Sequence, residues 1–209
     1  MTEIYASILG ESTHAGRPCV LARFTGCSLR CRYCDTAYAF SGGVEMSPRE
    51  VAGRIRFFGH RLVLLTGGEP LEQPEIPDLV SSLLESGREL LVETGGHVSA
   101  AHLDPRVIKI LDIKCPGSGS ADSMAWENIG ILGPRDEVKF VLTDRRDYEW
   151  AREVRAARLR DFEGAVLFSA ARGFLTDTLL AEWILEDGLE VRLQVQLHRV
   201  LWPDRERGV

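Results

Sequence analysis

The chain has 209 residues, of which 44% are hydrophobic and 27% are charged, the balance expected of one globular domain spanning residues 1–209. Its apolar runs are far shorter than the roughly 20 residues that cross a bilayer, and no secretory signal opens it, so we expect a cytoplasmic protein without a membrane segment. A net charge of −6 argues against nucleic acid as a partner and favours a small molecule.

Seven short runs rich in Val, Leu and Ile predict β-strands. They cover residues 18–25, 61–66, 89–94, 107–114, 137–142, 164–170 and 189–197. Nearly continuous apolar runs indicate strands that are buried on both faces, which is typical of a parallel sheet. Within the first run, the period of two places Cys19, Leu21 and Arg23 on one face of the strand.

Four stretches with helical periodicity alternate with the strands. Ser47, Pro48 and Glu50 predict a capping box with a first-turn proline, and the other three helices start near Pro77, near Thr143 or Asp144, and after Thr176. About six βα units are too few for a complete eight-unit barrel. The sequence therefore predicts an α/β fold, either an incomplete parallel βα barrel or an open doubly wound sheet, with its ligand at the carboxyl ends of the strands.

Three cysteines follow the first predicted strand at the spacing C-x3-C-x2-C, as Cys27, Cys31 and Cys34. A structural zinc site needs four ligands, and no nearby Cys or His pair completes the set. A redox-active CxxC pair would not require the first cysteine. An iron–sulfur cluster accepts this spacing, and a 4Fe-4S cluster held by three thiolates leaves one iron free for another ligand. We expect the remaining cysteines, Cys19 and Cys115, to serve in packing.

Glycine-rich sequences follow the next two strands, at residues 67–70 (GGEP) and 94–96 (TGG). Together with the three cysteines, the GGEP sequence resembles the radical S-adenosylmethionine (SAM) superfamily. Further segments resemble its 7-carboxy-7-deazaguanine synthase family, and they lie at residues 10–16, 23–27, 34–36, 93–96, 137–141 and 196–199.

This resemblance implies an incomplete barrel of about six units, of the radical SAM type, and a lyase activity. The reaction would convert 6-carboxy-5,6,7,8-tetrahydropterin to 7-carboxy-7-deazaguanine and ammonia, a step in the biosynthesis of queuosine and other deazapurines. The implied cofactors are a 4Fe-4S cluster, SAM and Mg²⁺. The implied partners are a reductant protein such as flavodoxin or ferredoxin and a second copy of the chain in a homodimer.

The resemblance also implies a role for individual residues. It assigns the cluster to Cys27, Cys31 and Cys34, and Mg²⁺ to Thr36. It assigns SAM to Tyr33, Gly67, Gly68, Glu69, Gly96, Lys139 and Ser169. It assigns the pterin substrate to Ile8, Leu9, Gly10, Arg23, Thr94, Gln196 and His198. No side chain is expected to carry the chemical step, because the cofactors supply the radical chemistry.

Arg23 has a separate case from strand geometry. A buried arginine at the carboxyl end of a strand needs an anion, and the substrate carboxylate or a structural partner such as Glu11 or Glu93 would supply it. Two other functions stay open from the residues alone. A glycyl-radical activating enzyme shares the cysteine and GGEP motifs, and a zinc-stabilised binding module would use the same cysteines without chemistry.

Overall fold

The computed structural model describes all 209 residues as eight strands and five α-helices, with short 3₁₀ segments in the loops. The strands are β1 (Glu3–Ile8), β2 (Pro18–Phe24), β3 (Leu62–Gly67), β4 (Glu89–Thr94), β5 (Ile108–Ile113), β6 (Glu137–Leu142), β7 (Ala165–Ala170) and β8 (Arg192–Gln194). The helices are α1 (Pro48–Phe57), α2 (Ile76–Glu85), α3 (Arg145–Arg158), α4 (Asp177–Glu186) and α5 (Leu197–Leu201).

All eight strands form one sheet in chain order. Strands β2 to β8 pair in parallel, and β1 pairs antiparallel with β2. The predicted α/β fold with a parallel sheet is therefore confirmed, and each predicted strand corresponds to one of β2 to β8. Because β1 and β8 do not pair with each other, the sheet keeps two edges. The sequence did not predict β1, which is half-buried along its whole length.

Helices α1, α2, α3 and α4 cover four of the six connections between parallel strands. The connection from β4 to β5 has no helix, and that from β5 to β6 has only 3₁₀ turns. The capping box of α1 is confirmed, since the Ser47 hydroxyl accepts from the Glu50 amide and the Glu50 carboxylate accepts from the Ser47 amide at 2.8 Å. Asp144 and Thr176 cap α3 and α4 as predicted.

The two faces of β2 belong to different hydrophobic clusters. Cys19 and Leu21 pack inside the curve of the sheet against Leu64 of β3, whereas Val20 and Ala22 pack outward with residues of α1 and α2. This separation confirms the alternation predicted for the strand. It also directs Arg23, two residues beyond Leu21, to the inner side. None of the five helices is long and apolar enough to cross a membrane.

The two cysteines outside the triad are fully buried. Cys19 lies in the inner cluster and Cys115 lies in the cluster beneath α3, and neither forms a disulfide. Burial raises the pKa of Cys19 to about 12 and also raises the pKa of Cys115. Both thiols therefore remain protonated and serve in packing, as the sequence predicted.

Candidate active site

One cavity at the carboxyl ends of the parallel strands brings the sequence motifs together. It is lined by residues of β1 to β7 and of the segment after β8, so the sheet curls around it. The predicted site residues that line it are Ile8, Leu9, Gly10, Arg23, Cys27, Cys31, Tyr33, Cys34, Thr36, Gly67, Gly68, Glu69, Thr94, Lys139, Ser169, Gln196 and His198. Gly96 is not among the lining residues, although its neighbour Gly95 is.

The cysteine triad occupies the loop between β2 and the 3₁₀ segment at residues 37–40. All three thiols are free and partly exposed to the cavity. No group of three or more His, Cys, Asp or Glu side chains is arranged to hold a single metal ion. Three thiolates at this close spacing in one loop are a ligand set that an iron–sulfur cluster accepts, and these residues would hold it.

A second loop supports the cysteine triad from the side. The Arg32 amide donates to the Ser118 carbonyl at 3.0 Å, and the Cys31 thiol lies 3.9 Å from the Ser120 hydroxyl. Burial raises the pKa of Cys27 and of Cys31. Burial thus opposes formation of the thiolates, and a bound metal cation would stabilise them.

The GGEP sequence follows β3 and lies against the start of the cysteine loop. The Gly68 amide donates to the Phe24 carbonyl at 3.0 Å, and the Glu69 amide donates to the Gly26 carbonyl at 2.7 Å. A Cβ atom on Gly68 would collide with the Gly26 carbonyl, so only glycine permits this approach. The motif therefore fixes the end of β3 directly beside the first cysteine.

Glu69 is almost fully buried, and its side chain organises the loop after β4. Its carboxylate accepts from the Leu71 amide at 3.0 Å and from the Gly95 amide at 2.8 Å. Burial nevertheless raises the pKa of Glu69. The position of Gly95 and Gly96 thus depends on a side chain of the GGEP sequence.

Arg23 lies inside the cavity wall and has a structural partner that the sequence did not single out. Its Nε donates to Glu3 at 2.9 Å, and its Nη2 lies 3.5 Å from the Tyr5 hydroxyl. Both partners belong to β1, whereas Glu11 and Glu93 pair elsewhere. Its Nη1 donates no hydrogen bond within the protein, so one edge of the guanidinium remains available for an anion.

A cluster of five charged side chains forms the floor of the cavity. The Lys139 ammonium contacts the carboxylates of Glu11 at 3.0 Å, Glu93 and Asp112, and Lys114 pairs with Asp112 at 2.8 Å. Burial alone would lower the pKa of Lys139, because it disfavours the charged ammonium. The three carboxylates around the ammonium have the larger effect, so the pKa of Lys139 is raised. Lys139 therefore lines the cavity as predicted, with its ammonium already engaged.

Asp112 and Lys114 are cavity residues that the sequence interpretation did not assign. Both lie at the end of β5, where the run at residues 107–114 places charged side chains among aliphatic ones. That charge within an apolar strand is the signal that could have revealed them. One carboxylate oxygen of Asp112 and the hydroxyl of Tyr33 are buried without a hydrogen-bond partner. Two polar atoms at this cavity thus lack partners within the protein.

Thr36 and Asp35 place oxygen atoms at the mouth of the cysteine loop. The Thr36 hydroxyl donates to the Asp35 carboxylate at 2.9 Å, and Asp35 also accepts from Gln196 at 3.2 Å. His198, on the same side of the cavity, has a pKa lowered by burial. This side of the site therefore offers neutral and anionic oxygen and nitrogen ligands.

Comparison with known proteins identifies relatives of this chain. A family model described as the radical SAM superfamily matches residues 21–168. The 7-carboxy-7-deazaguanine synthase of Koribacter versatilis is 42% identical over an alignment that covers 100% of this chain and 99% of the relative. The enzyme of the same name from Chlorobaculum tepidum is 40% identical, with 100% and 96% covered.

A solved structure supports the fold independently. The crystal structure of QueE from Escherichia coli has a TM-score of 0.78 to this chain at 21% identity, and the match covers 95% of this chain and 93% of that one. At this level of identity the likeness concerns the fold. It agrees with the curled, mostly parallel sheet described above.

Proposed function

The chain belongs to the 7-carboxy-7-deazaguanine synthases of the radical SAM superfamily, and on this premise we propose that it converts 6-carboxy-5,6,7,8-tetrahydropterin to 7-carboxy-7-deazaguanine and ammonia. The observation that carries the proposal is the convergence of the three free cysteines and Arg23 on one cavity, in a chain with full-length relatives of that name. A 4Fe-4S cluster and SAM are the cofactors that the family implies.

Cys27, Cys31 and Cys34 would hold the cluster. Their donor set supports this assignment, because three thiolates in one loop suit a cluster that keeps one iron open. When bound, the cluster and SAM supply the radical that initiates the reaction. The protein's part is to exclude water from the cavity and to orient the substrate relative to SAM.

Seven residues would bind SAM, namely Tyr33, Gly67, Gly68, Glu69, Gly96, Lys139 and Ser169. The buried Tyr33 hydroxyl without a partner supports a ligand on this side of the cavity. Gly96 would contact SAM from the loop after β4, which Glu69 positions by accepting a hydrogen bond from the Gly95 amide. Lys139 would act with its charge balanced by the carboxylates around it.

The substrate would occupy the opposite side, between Arg23 and the segment after β8. Arg23 would bind the pterin carboxylate through the edge that Glu3 leaves free, because a guanidinium pairs with a carboxylate through parallel hydrogen bonds. The other residues assigned to the pterin are Ile8, Leu9, Gly10, Thr94, Gln196 and His198. Leu9 would have only its backbone for this contact, because its side chain is buried in the core. Its amide already donates to the Arg17 carbonyl and its carbonyl accepts from the Gly16 amide, so the contact would add to these bonds.

Mg²⁺ would bind at Thr36. A small hard cation prefers oxygen ligands and retains several water or substrate oxygens, so one hydroxyl beside a carboxylate group is a sufficient protein contribution. Asp35 lies in contact with the Thr36 hydroxyl and keeps the site negative. The substrate carboxylate would complete the coordination.

Three further parts of the proposal concern the whole chain. It would act as a single domain over residues 1–209, receive its electron from a small reductant protein such as flavodoxin or ferredoxin, and assemble as a homodimer. Light scattering of the purified protein measures the assembly state. Reduction assays with flavodoxin and with ferredoxin measure which protein donates the electron.

The function is tested by anaerobic reconstitution with iron and sulfide, followed by incubation with dithionite, SAM, Mg²⁺ and the carboxypterin. We expect brown protein with about four irons per chain, and a product with the mass of 7-carboxy-7-deazaguanine that appears only when SAM is present. Colourless protein with stoichiometric zinc would contradict the proposal. Reductive SAM cleavage without conversion of the pterin would indicate another radical SAM activity.

A further inference from the structure

The two edges of the sheet meet at a seam that is not closed by strand pairing. On one side lie residues 8–12, which begin with the last residue of β1, and on the other lie residues 194–198, which begin with the last residue of β8. Only one backbone hydrogen bond crosses the seam, from the Leu197 amide to the Gly10 carbonyl at 2.9 Å. Side chains must therefore supply the remaining contacts between the edges.

The carboxylate of Glu11 supplies two of the three side-chain hydrogen bonds between these segments, and the third runs from the Ser12 amide to Gln194 Oε1 at 2.6 Å. The Oε1 of Glu11 accepts from Gln196 at 2.6 Å, and its Oε2 accepts from Gln194 at 3.0 Å. The same Oε2 accepts from the ammonium of Lys139 on β6 at 3.0 Å. A single carboxylate thus joins the loop after β1 to β6, to β8 and to the segment before α5.

The seam determines where two residues of the substrate side lie. His198 packs so closely on Gly10 that a Cβ atom there would collide with its imidazole ring. Gln196 faces the same loop through Glu11. Neither residue is placed by a strand of its own, because β8 ends at Gln194. Their position in the cavity wall therefore depends on the hydrogen bonds across the seam.

We propose that Glu11 is a positioning residue whose carboxylate closes the seam and thereby sets Gln196 and His198 against the backbone of residues 8–10. The proposal rests on the proposed function in assigning these residues to the pterin. Its geometric part, the closure of the seam, is independent of the reaction. Glu11 is needed as an anion because all three of its partners are hydrogen-bond donors.

Two variants test this role. Glu11→Gln keeps the size of the side chain but turns an amide NH2 toward at least one donor. Gln194→Leu removes two seam contacts, the one to Glu11 and the one in which Gln194 Oε1 accepts from the Ser12 amide at 2.6 Å. Gln194 does not line the cavity, and its replacement leaves no buried charge behind. Glu149→Gln is the matched control, because it removes a carboxylate from the exposed pair with Arg145 on α3.

Hydrogen exchange measured by mass spectrometry reports on the seam without turnover. In the reconstituted enzyme we expect exchange in residues 195–201 to accelerate about tenfold in Glu11→Gln and several-fold in Gln194→Leu, while α2 and the control variant stay unchanged. Unchanged exchange in residues 195–201 in both variants would overturn the proposal. So would equal acceleration in α2, because it would show general destabilisation.

Steady-state kinetics then test the consequence for the substrate. We expect KM for the carboxypterin to rise several-fold in Gln194→Leu, with the Kd for SAM within twofold of wild type, because Gln194 neither lines the cavity nor contacts Lys139. An equal loss of SAM affinity, or an unchanged KM despite faster exchange, would overturn the positioning role. Absence of pterin conversion in the wild type would contradict the proposed function instead, and the exchange result would still decide whether Glu11 closes the seam.

Discussion

Arg23 has two potential anionic partners, and its geometry allows both. Glu3 occupies its Nε, which orients the guanidinium of this cavity-lining residue, while Nη1 has no partner within the protein. Glu3 also accepts from the Tyr38 hydroxyl at 2.8 Å, so the carboxylate is itself held in place. This arrangement explains how the half-buried Arg23 side chain is held in place without substrate and still presents a planar edge to it.

We expect Arg23→Lys to raise KM for the carboxypterin about ten- to hundredfold. A lysine replaces two parallel hydrogen bonds by one point charge, and one charge-assisted hydrogen bond contributes about 1.5 to 3 kcal/mol. SAM binding should not change, and a pterin without its carboxylate should bind wild type and variant equally. Steady-state kinetics and equilibrium binding measure these effects. An unchanged KM, or unfolding of the variant, would assign Arg23 to a structural ion pair alone.

The cysteine assignment predicts a sharp division among the five cysteines. We expect Cys27→Ala, Cys31→Ala and Cys34→Ala each to lose the cluster, because each removes one of three ligands. Cys19→Ala and Cys115→Ala should retain full iron, since both thiols are buried in the core. Iron and sulfide analysis after reconstitution measures the outcome. Full iron in Cys31→Ala would show that the cluster is held differently.

For Thr36 we expect a selective loss of the response to magnesium. Thr36→Ala removes a hard oxygen ligand, so added Mg²⁺ should increase pterin conversion in the wild type several-fold more than in the variant. Reductive cleavage of SAM should persist, because the residue is not assigned to the cluster. Titration of Mg²⁺ against product formation tests this. Equal titration curves would reduce Thr36 to an ordinary loop residue.

The sequence predicted those site residues that carry a local signal. The three cysteines and the GGEP sequence are recognisable from spacing within a few positions. The contact between Glu11 and Lys139 has no local signal, because the two residues are 128 positions apart. Their ion pair exists only because the sheet curls. The partner of Arg23 could not be identified for a similar reason, since β1 was not recognised as its neighbouring strand.

At the scale of elements, apolar runs located β2 to β8 and start signals located three of the helices, but neither signal located β1. The caps of α1, α3 and α4 lie where polar residues predicted them, because each satisfies specific backbone amides within one turn. Strand β1 lacks a contrast between buried and exposed positions, as all six of its residues are half-buried. Its existence depends on pairing with β2, which the pattern of its own residues does not encode.

The capping box of α1 gives a measurable contribution to stability. We expect Ser47→Ala to lower the free energy of unfolding by about 1 kcal/mol, because it leaves helix amides without an acceptor. For a chain of this size the corresponding drop in Tm is about 2 to 4 °C. Ser81→Ala, an exposed serine within α2, is the control and should leave Tm unchanged or slightly raised. Thermal unfolding followed by circular dichroism measures both; equal shifts would contradict the role of the cap.

The whole molecule is an open sheet that curls until its edges meet through side chains. Its interior is mostly apolar at the amino ends of the strands, where the buried Glu137 carboxylate of β6 is an exception. It is charged at the carboxyl ends, where Lys114 and Lys139 face Glu11, Glu93 and Asp112. Burial opposes the ionisation of Asp112, but the two lysines outweigh burial and lower its pKa. The ligand cavity thus lies where these ion pairs join β4, β5 and β6 to the loop after β1.

His198 lies at the seam and makes the stability of the whole fold depend on pH. Burial lowers its pKa below the ordinary value of 6.5. The folded state therefore binds fewer protons than the unfolded state in the window below pH 6.5, and the stabilisation present above this window is lost as pH falls through the folded pKa. Glu11 and Asp35 favour the protonated ring, whereas Arg199 and Arg23 oppose it, and burial decides the direction.

We expect His198→Gln to lose less stability than the wild type between pH 7 and pH 5. The variant has no proton to take up at this position, so the difference between the two pH profiles isolates the imidazole from the other titrating groups. The difference in the free energy of unfolding between wild type and variant cannot change by more than about 1.4 kcal/mol per pH unit, the value for one proton. Partial exposure of the imidazole to water should reduce this change. Urea unfolding at a series of pH values measures the difference. Parallel profiles would show that His198 has the same proton affinity in the folded and unfolded chains, and a steeper loss in the variant would mean that the folded seam favours the imidazolium.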